Sequence, residues 1–169
     1  MKRLLVIDGY NYIFYNLKGK KVNSQRLGFL RENLIGYLEQ YSGLTGLEVI
    51  AVFDSSDDNG PRDSVTKGNV RVIYSGKHSA DSIIEKIAAR EHDKREIFVV
   101  TSDYIQQKTV LKKNIYRKSV REFNLELSRI VEDMREDIKK ISSKSSRSFY
   151  SLSKRLGYSS RDPLKNKKK

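Results

Sequence analysis

The 169-residue chain contains no cysteine and only two histidines, His78 and His92. Without cysteine there can be no disulfide, no thiolate metal centre and no cysteine nucleophile. With so little imidazole, a zinc centre is not expected. Long apolar runs are missing too: Leu4-Leu5-Val6-Ile7 is broken by Asp8, too short for a signal peptide or a membrane span, which makes the cytoplasm the expected compartment. No Gly-x-x-x-x-Gly-Lys-Ser/Thr loop is present and no dinucleotide fingerprint follows the first apolar run, so P-loop and Rossmann-type nucleotide chemistry are excluded. Tyr10 occupies the position two residues after Asp8, where a phosphatase with an aspartyl nucleophile carries its second acid.

What the chain does have is a repeated phrase, an apolar strand that stops on a carboxylate. It occurs as Leu4-Leu5-Val6-Ile7-Asp8, as Val49-Ile50-Ala51-Val52-Phe53-Asp54 and as Ile97-Phe98-Val99-Val100-Thr101-Ser102-Asp103. Ser79-Ala80-Asp81 adds a fourth acid at a predicted helix start. Strand and helix patterns alternate through the first 118 residues, which predicts a three-layer α/β sandwich with a mainly parallel central sheet. In such sheets the carboxyl ends of the strands, and the helix starts after them, line one crevice. Four aspartates gathered there repel one another unless a divalent cation neutralises them, which points to magnesium or manganese.

Predicted strands cover about 2–7, 47–53, 70–74, 97–101 and 115–116, the third a shorter one at an edge. Asn23 or Ser24 is expected to cap a helix with apolar positions Leu27, Leu30, Leu34, Leu38 and Tyr41, stopped by Gly43. Ser79 caps the next helix and places Asp81 in its first turn, where an acid also serves simply to complement the helix dipole. A short helix is predicted around 105–112. Ser119 and Glu122 match a capping box opening a long amphipathic helix, whose apolar positions run from Val120 and Phe123 to Ile138 and Ile141. A domain over 1–142 is expected, followed by a basic, Ser/Lys-rich and partly flexible extension over 143–169.

Net charge is +13, unevenly spread. Residues 1–100 hold 15 basic against 13 acidic side chains, and residues 101–169 hold 19 against 8. A surface facing a polyanion accounts for that asymmetry, as does a solvated helix followed by a basic tail.

The chemistry open to this constellation is metal-assisted phosphoester hydrolysis with water as nucleophile. Asn11, three residues after Asp8, is placed to hydrogen-bond a carboxylate or a phosphate. Thr101 and Ser102 are placed to orient ligands beside Asp103. Tyr10, Tyr12, Phe14 and Tyr15 follow the first acid, either as a stacking surface for bases or as buried packing.

These blocks, Val6-Ile7-Asp8-Gly9-Tyr10-Asn11, Val52-Phe53-Asp54, Ala80-Asp81 and Val100-Thr101-Ser102-Asp103, resemble the NYN branch of the PIN-like nucleases. The likeness is closest to the bacterial YacP-like members, and Arg117-Lys118-Ser119-Val120-Arg121-Glu122-Phe123 resembles the C-terminal motif of that subfamily. It extends over roughly residues 3–140. The resemblance implies a PIN-like sheet with an acidic metal pocket at its carboxyl edge. It also implies an endoribonuclease that associates with ribosomes and cuts mRNA during translation. Asp8, Asp81 and Asp103 would be the metal-binding acids with Asn11 beside them, and Asp54 stands where the family also tends to carry an acid. Arg117, Lys118 and Arg121 become candidate contacts to the RNA backbone. Two other readings remain open at this point: a non-catalytic RNA- or ribosome-binding module, and a metal-dependent phosphatase for small phosphoesters.

Overall fold

The computed structural model describes residues 2–55, 62–102, 113–130, 132, 133 and 136. The chain divides into two compact units, Met1–Leu127 and Ser128–Lys169. The first carries the sheet, and the described residues of the second are helical.

The elements run in the order β1 (Lys2–Asp8), α1 (Gly9–Leu17), α2 (Ser24–Thr45), β2 (Glu48–Phe53), β3 (Arg62–Lys67), β4 (Val70–Tyr74), α3 (Ala80–Glu91), β5 (Arg95–Val100) and β6 (Ile115–Lys118). A further helix, α4, follows over residues 120–130. The six strands form one sheet in the order β3-β4-β2-β1-β5-β6. Five are mutually parallel, and β3 pairs antiparallel with β4 at the edge. The expected α/β sandwich is therefore present.

Burial explains the composition of the central strands. Leu4, Leu5, Val6 and Ile7 are all fully buried because helices cover both faces of β1. On one face Leu4 and Val6 join Ile50, Val52, Ile97 and Val99 under Ile83, Ile84 and Ala88 of α3. On the other, Phe53 meets Tyr10 of α1 edge-on, and Phe123 of α4 meets Tyr12 and Tyr41.

Three local expectations need correcting. Helix α2 does not stop at Gly43 but continues to Thr45, where Gly46 takes the left-handed conformation at φ 67° and donates its N–H to Ser42 O. The buried Ser42 hydroxyl adds a 2.6 Å bond to Leu47 O, which fixes the exit into β2. Residues 9–17, read only as an aromatic cluster, form helix α1. The strand over 70–74 is not an edge, because β3 covers it. The helix predicted around 105–112 lies outside the described residues.

Candidate active site at the carboxyl edge of the sheet

The order of the parallel strands creates a switch point. From β1 the chain moves to β2 and β4 on one side, and α3 then carries it across to β5 and β6 on the other. The crevice of such a sheet opens at the carboxyl ends of the two strands where direction reverses, here β1 and β5.

Asp8 ends β1 at that point and is only 6% exposed. It is also the N-cap of α1, accepting the Asn11 N–H at 3.0 Å. This turn requires glycine next. A β-carbon on Gly9 would overlap the fully buried ring of Phe53 at the end of β2. The Asp-Gly-Tyr-Asn element thus has a packing reason beside its chemical one: α1 must approach β2 closely for Asp8 to sit at its start.

Asn11 reaches across the crevice. Its Oδ1 accepts both the N–H of Ser102 at 2.8 Å and the Ser102 hydroxyl at 2.9 Å. Thr101 is buried, and its N–H donates to Lys118 O of β6 at 3.2 Å. The segment leaving β5 is therefore held from both sides, by α1 and by β6. Asp103, the next residue, lies outside the described residues.

Asp54 has a definite task in the fold. Its Oδ1 accepts the Ala80 N–H at 2.7 Å, satisfying a donor in the first turn of α3, and the Ser75 hydroxyl at 3.2 Å. Ser75 is fully buried and its Oγ also accepts the Ser55 N–H at 3.1 Å. Ser79 completes the cap by accepting from Ser82 N. Asp54 thereby fixes the N-terminus of α3, on which half-buried Asp81 is carried. Sequence reasoning missed Ser75; a polar residue directly after an apolar strand was its one signal.

The strands bring Asp8, Asp54 and the helix start bearing Asp81 to the same edge of the sheet, yet among the described residues no three acids or imidazoles gather closely enough to hold an ion. The donors present are carboxylate, amide and hydroxyl oxygens, a set that suits a hard divalent cation.

Of the expected backbone contacts, Arg117 and Arg121 are exposed. Lys118 is engaged within the fold, ion-paired with Glu126 of α4 and lying 5.4 Å over the Phe98 ring. Glu126 also accepts the hydroxyl of buried Tyr41 at 2.8 Å, so α2, β6 and α4 meet at one carboxylate. Burial first, and then Glu126, pushes the Tyr41 phenol well above its ordinary value. The capping box exists as expected: Glu122 accepts from Ser119 N–H and hydroxyl, and donates its own N–H back to Ser119 Oγ. Those bonds from Ser119 hold the Glu122 carboxyl below the usual range.

The family model of the YacP-like NYN domain matches residues 5–167. The chain belongs to the YacP-like NYN family. It is 35% identical over 144 residues to the protein of Bacillus subtilis (strain 168) called "Uncharacterized protein YacP", covering 83% of this chain and 84% of that one. The crystal structure of a point mutant of Rae1 (YacP) from Bacillus subtilis superposes with a TM-score of 0.71 at 34% identity, over 90% of this chain and 91% of the other. A further crystal structure of Rae1 (YacP) gives a TM-score of 0.68 at 30% identity, over 90% and 89% of the two chains. The mainly parallel α/β sheet and the YacP-like NYN assignment are together consistent with a PIN-like nuclease fold. Among the described residues, no helix is long and apolar enough to cross a membrane.

Proposed function

We propose that this YacP-like NYN protein is a divalent-metal-dependent endoribonuclease that cuts mRNA in association with the ribosome. The observation that carries the reading is the β1/β5 crevice, where buried Asp8 caps α1 and the Asn11 amide of the same helix grips the Ser102 segment that leads to Asp103.

Asp8 and Asp81, with Asp103, would hold magnesium or manganese, which lowers the pKa of a bound water and neutralises charge building on the phosphodiester. The residues of the chain supply orientation. Asp54 anchors the start of α3 and so sets the position of Asp81. Asn11 sets the position of the chain that leaves β5. Exposed Arg117 and Arg121 are suited to contact backbone phosphates, while Lys118 supports the fold from within.

A second reading is a non-catalytic RNA- or ribosome-binding module, which exposed Arg117 and Arg121 would serve equally well. Cleavage of RNA by the purified protein, alone and with translating ribosomes, separates the two. Asp8→Asn and Asp81→Asn are expected to abolish cleavage with the thermal midpoint little changed, as is excess chelator on the unaltered protein. Full activity in either variant or in chelator overturns the nuclease reading. Failure on naked RNA together with cutting of translating mRNA establishes the ribosome requirement.

A further inference from the structure

Between Asp8 and Glu32 the sequence carries Lys18, Lys20, Lys21, Arg26 and Arg31 and not one acid. The structure folds this stretch into α1, a short connection and the start of α2. A groove of about 300 Å³ lies between the two helices, and neither Asp8 nor Asp81 lines it. Ile13 and Leu17 of α1 and Leu30 and Leu34 of α2 give it an apolar wall, and Asn33 and Tyr37 stand along it on α2.

The α2 side continues as an exposed aromatic surface. Phe29 is 55% exposed and Tyr37 53% exposed. Arg26 lies 5.4 Å over the Phe29 ring, one turn before it on the helix. Positions 26, 29, 33 and 37 recur at steps of three and four, so cation, aromatic, amide and aromatic follow one another along a single helical face. The lysines enter at the end of the groove where α1 stops at Leu17. Lys18 takes a left-handed conformation at φ 50° and Gly19 follows at φ 79°, turning the chain so that exposed Lys18, Lys20 and Lys21 lie in the connection. Glu32, the first acid beyond, is paired with Arg31.

Rings that bury only half their surface, set among cations and beside an amide, suit one class of ligand. Bases stack on aromatic faces, the adjoining phosphates meet Lys and Arg, and an amide offers both a donor and an acceptor to a base edge. A duplex hides those base faces; a single strand offers them. We infer that the α1/α2 groove and the Phe29–Tyr37 face form a subsite for unstacked bases of single-stranded RNA, distinct from the acidic crevice. The inference deepens the nuclease reading above by assigning a path for the strand that the crevice would cut.

The test is fluorescence anisotropy with a 5′-labelled single-stranded oligouridylate, on an Asp8→Asn background so that the strand stays whole. Phe29→Ala combined with Tyr37→Ala is expected to weaken binding about 10- to 100-fold. Replacing Lys20, Lys21 and Arg26 together by alanine is expected to flatten the slope of log affinity against log salt by about 2. Both sets alter exposed side chains, and unchanged thermal midpoints confirm intact folds. A duplex RNA of equal length is expected to be insensitive to the aromatic pair. Unchanged affinity in the aromatic variant overturns the base subsite, whatever the cation variant does. So does failure of the Asp8→Asn protein to bind the single strand, the result expected if the groove takes a protein segment. Cleavage is scored separately: groove-dependent binding with no cleavage by the unaltered protein, either of naked RNA or of mRNA on translating ribosomes, upholds the subsite and removes the nuclease reading.

Discussion

The side-chain oxygen of Asn11 accepts two hydrogen bonds from Ser102, one from its backbone and one from its hydroxyl, linking residues 91 positions apart. This places Asn11 as a positioning residue for the end of β5. Asn11→Ala is expected to reduce RNA cleavage by about 100-fold, the scale at which small misplacements act. Asn11→Asp keeps an acceptor facing Ser102 and is expected to preserve the loop while adding charge to the crevice. Steady-state cleavage of a short RNA by both variants distinguishes the roles. Equal, full activity in Asn11→Ala would show that the bridge does not matter to catalysis.

Gly9 makes a packing prediction. Gly9→Ala drives a methyl group into the Phe53 ring and is expected to destabilise the fold by about 1–3 kcal/mol. Shrinking the obstacle in the double variant Gly9→Ala/Phe53→Leu should recover part of that loss. Urea unfolding measures both, and additive losses would mean that the two sites do not meet.

Asp54 separates structure from chemistry. Its Oδ1 satisfies Ala80 N–H and the buried Ser75 hydroxyl, so Asp54→Ala is expected to cost about 1–2 kcal/mol. Asp54→Asn retains the acceptor and should keep most of that stability. A loss in Asp54→Asn as large as that in Asp54→Ala would show that charge, rather than hydrogen bonding, is what α3 requires.

Glu122 sets an acid-side pH dependence. Ser119 holds its folded carboxyl below the ordinary value of 4.5, so the folded state binds this proton more weakly than the unfolded chain. The contribution is complete above 4.5 and fades as pH falls through the lower folded value. Solvent screening keeps it small, within the roughly 0.5–1 kcal/mol of a surface cap. Glu122→Gln should remove this slope, seen by comparing unfolding free energies of the two proteins between about pH 3 and 6.

Lys118 and its neighbours answer differently to substitution. Lys118→Met breaks the link to Glu126 and is expected to lower stability by about 1–2 kcal/mol. Arg117→Ala and Arg121→Ala should leave stability intact and each flatten the salt dependence of RNA binding by about 0.7. A salt slope unchanged in both arginine variants removes them from the RNA path.

Local grammar carried much of this fold. The buried strands announced themselves as β-branched runs, and Ser79, Asn23 and the Ser119–Glu122 box were legible because a cap needs only a few adjacent residues. Helix α1 was not, since Tyr-Asn-Tyr-Ile-Phe-Tyr has strand-like propensity and no clear period; its start is imposed by Asp8 and by packing on Phe53. The polar sequence of β3 hid a strand whose place depends on its partner β4. At the site, Asp8 and Asn11 were read from spacing, but the Asn11–Ser102 and Tyr41–Glu126 bonds join residues 91 and 85 apart, which no local pattern encodes. The bonds that Asp54 accepts from Ala80 and Ser75, 26 and 21 positions away, were equally beyond any local pattern.

The pairing of β3 with β4 slips between Ser64 and Thr66, while the opposite margin of the sheet, β6, is only four residues long. A foreign strand seeking to add itself at either border meets a broken ladder on one side and a very short one on the other. Among the described residues, growth of the sheet into fibrils or domain-swapped chains is thereby discouraged at both flanks.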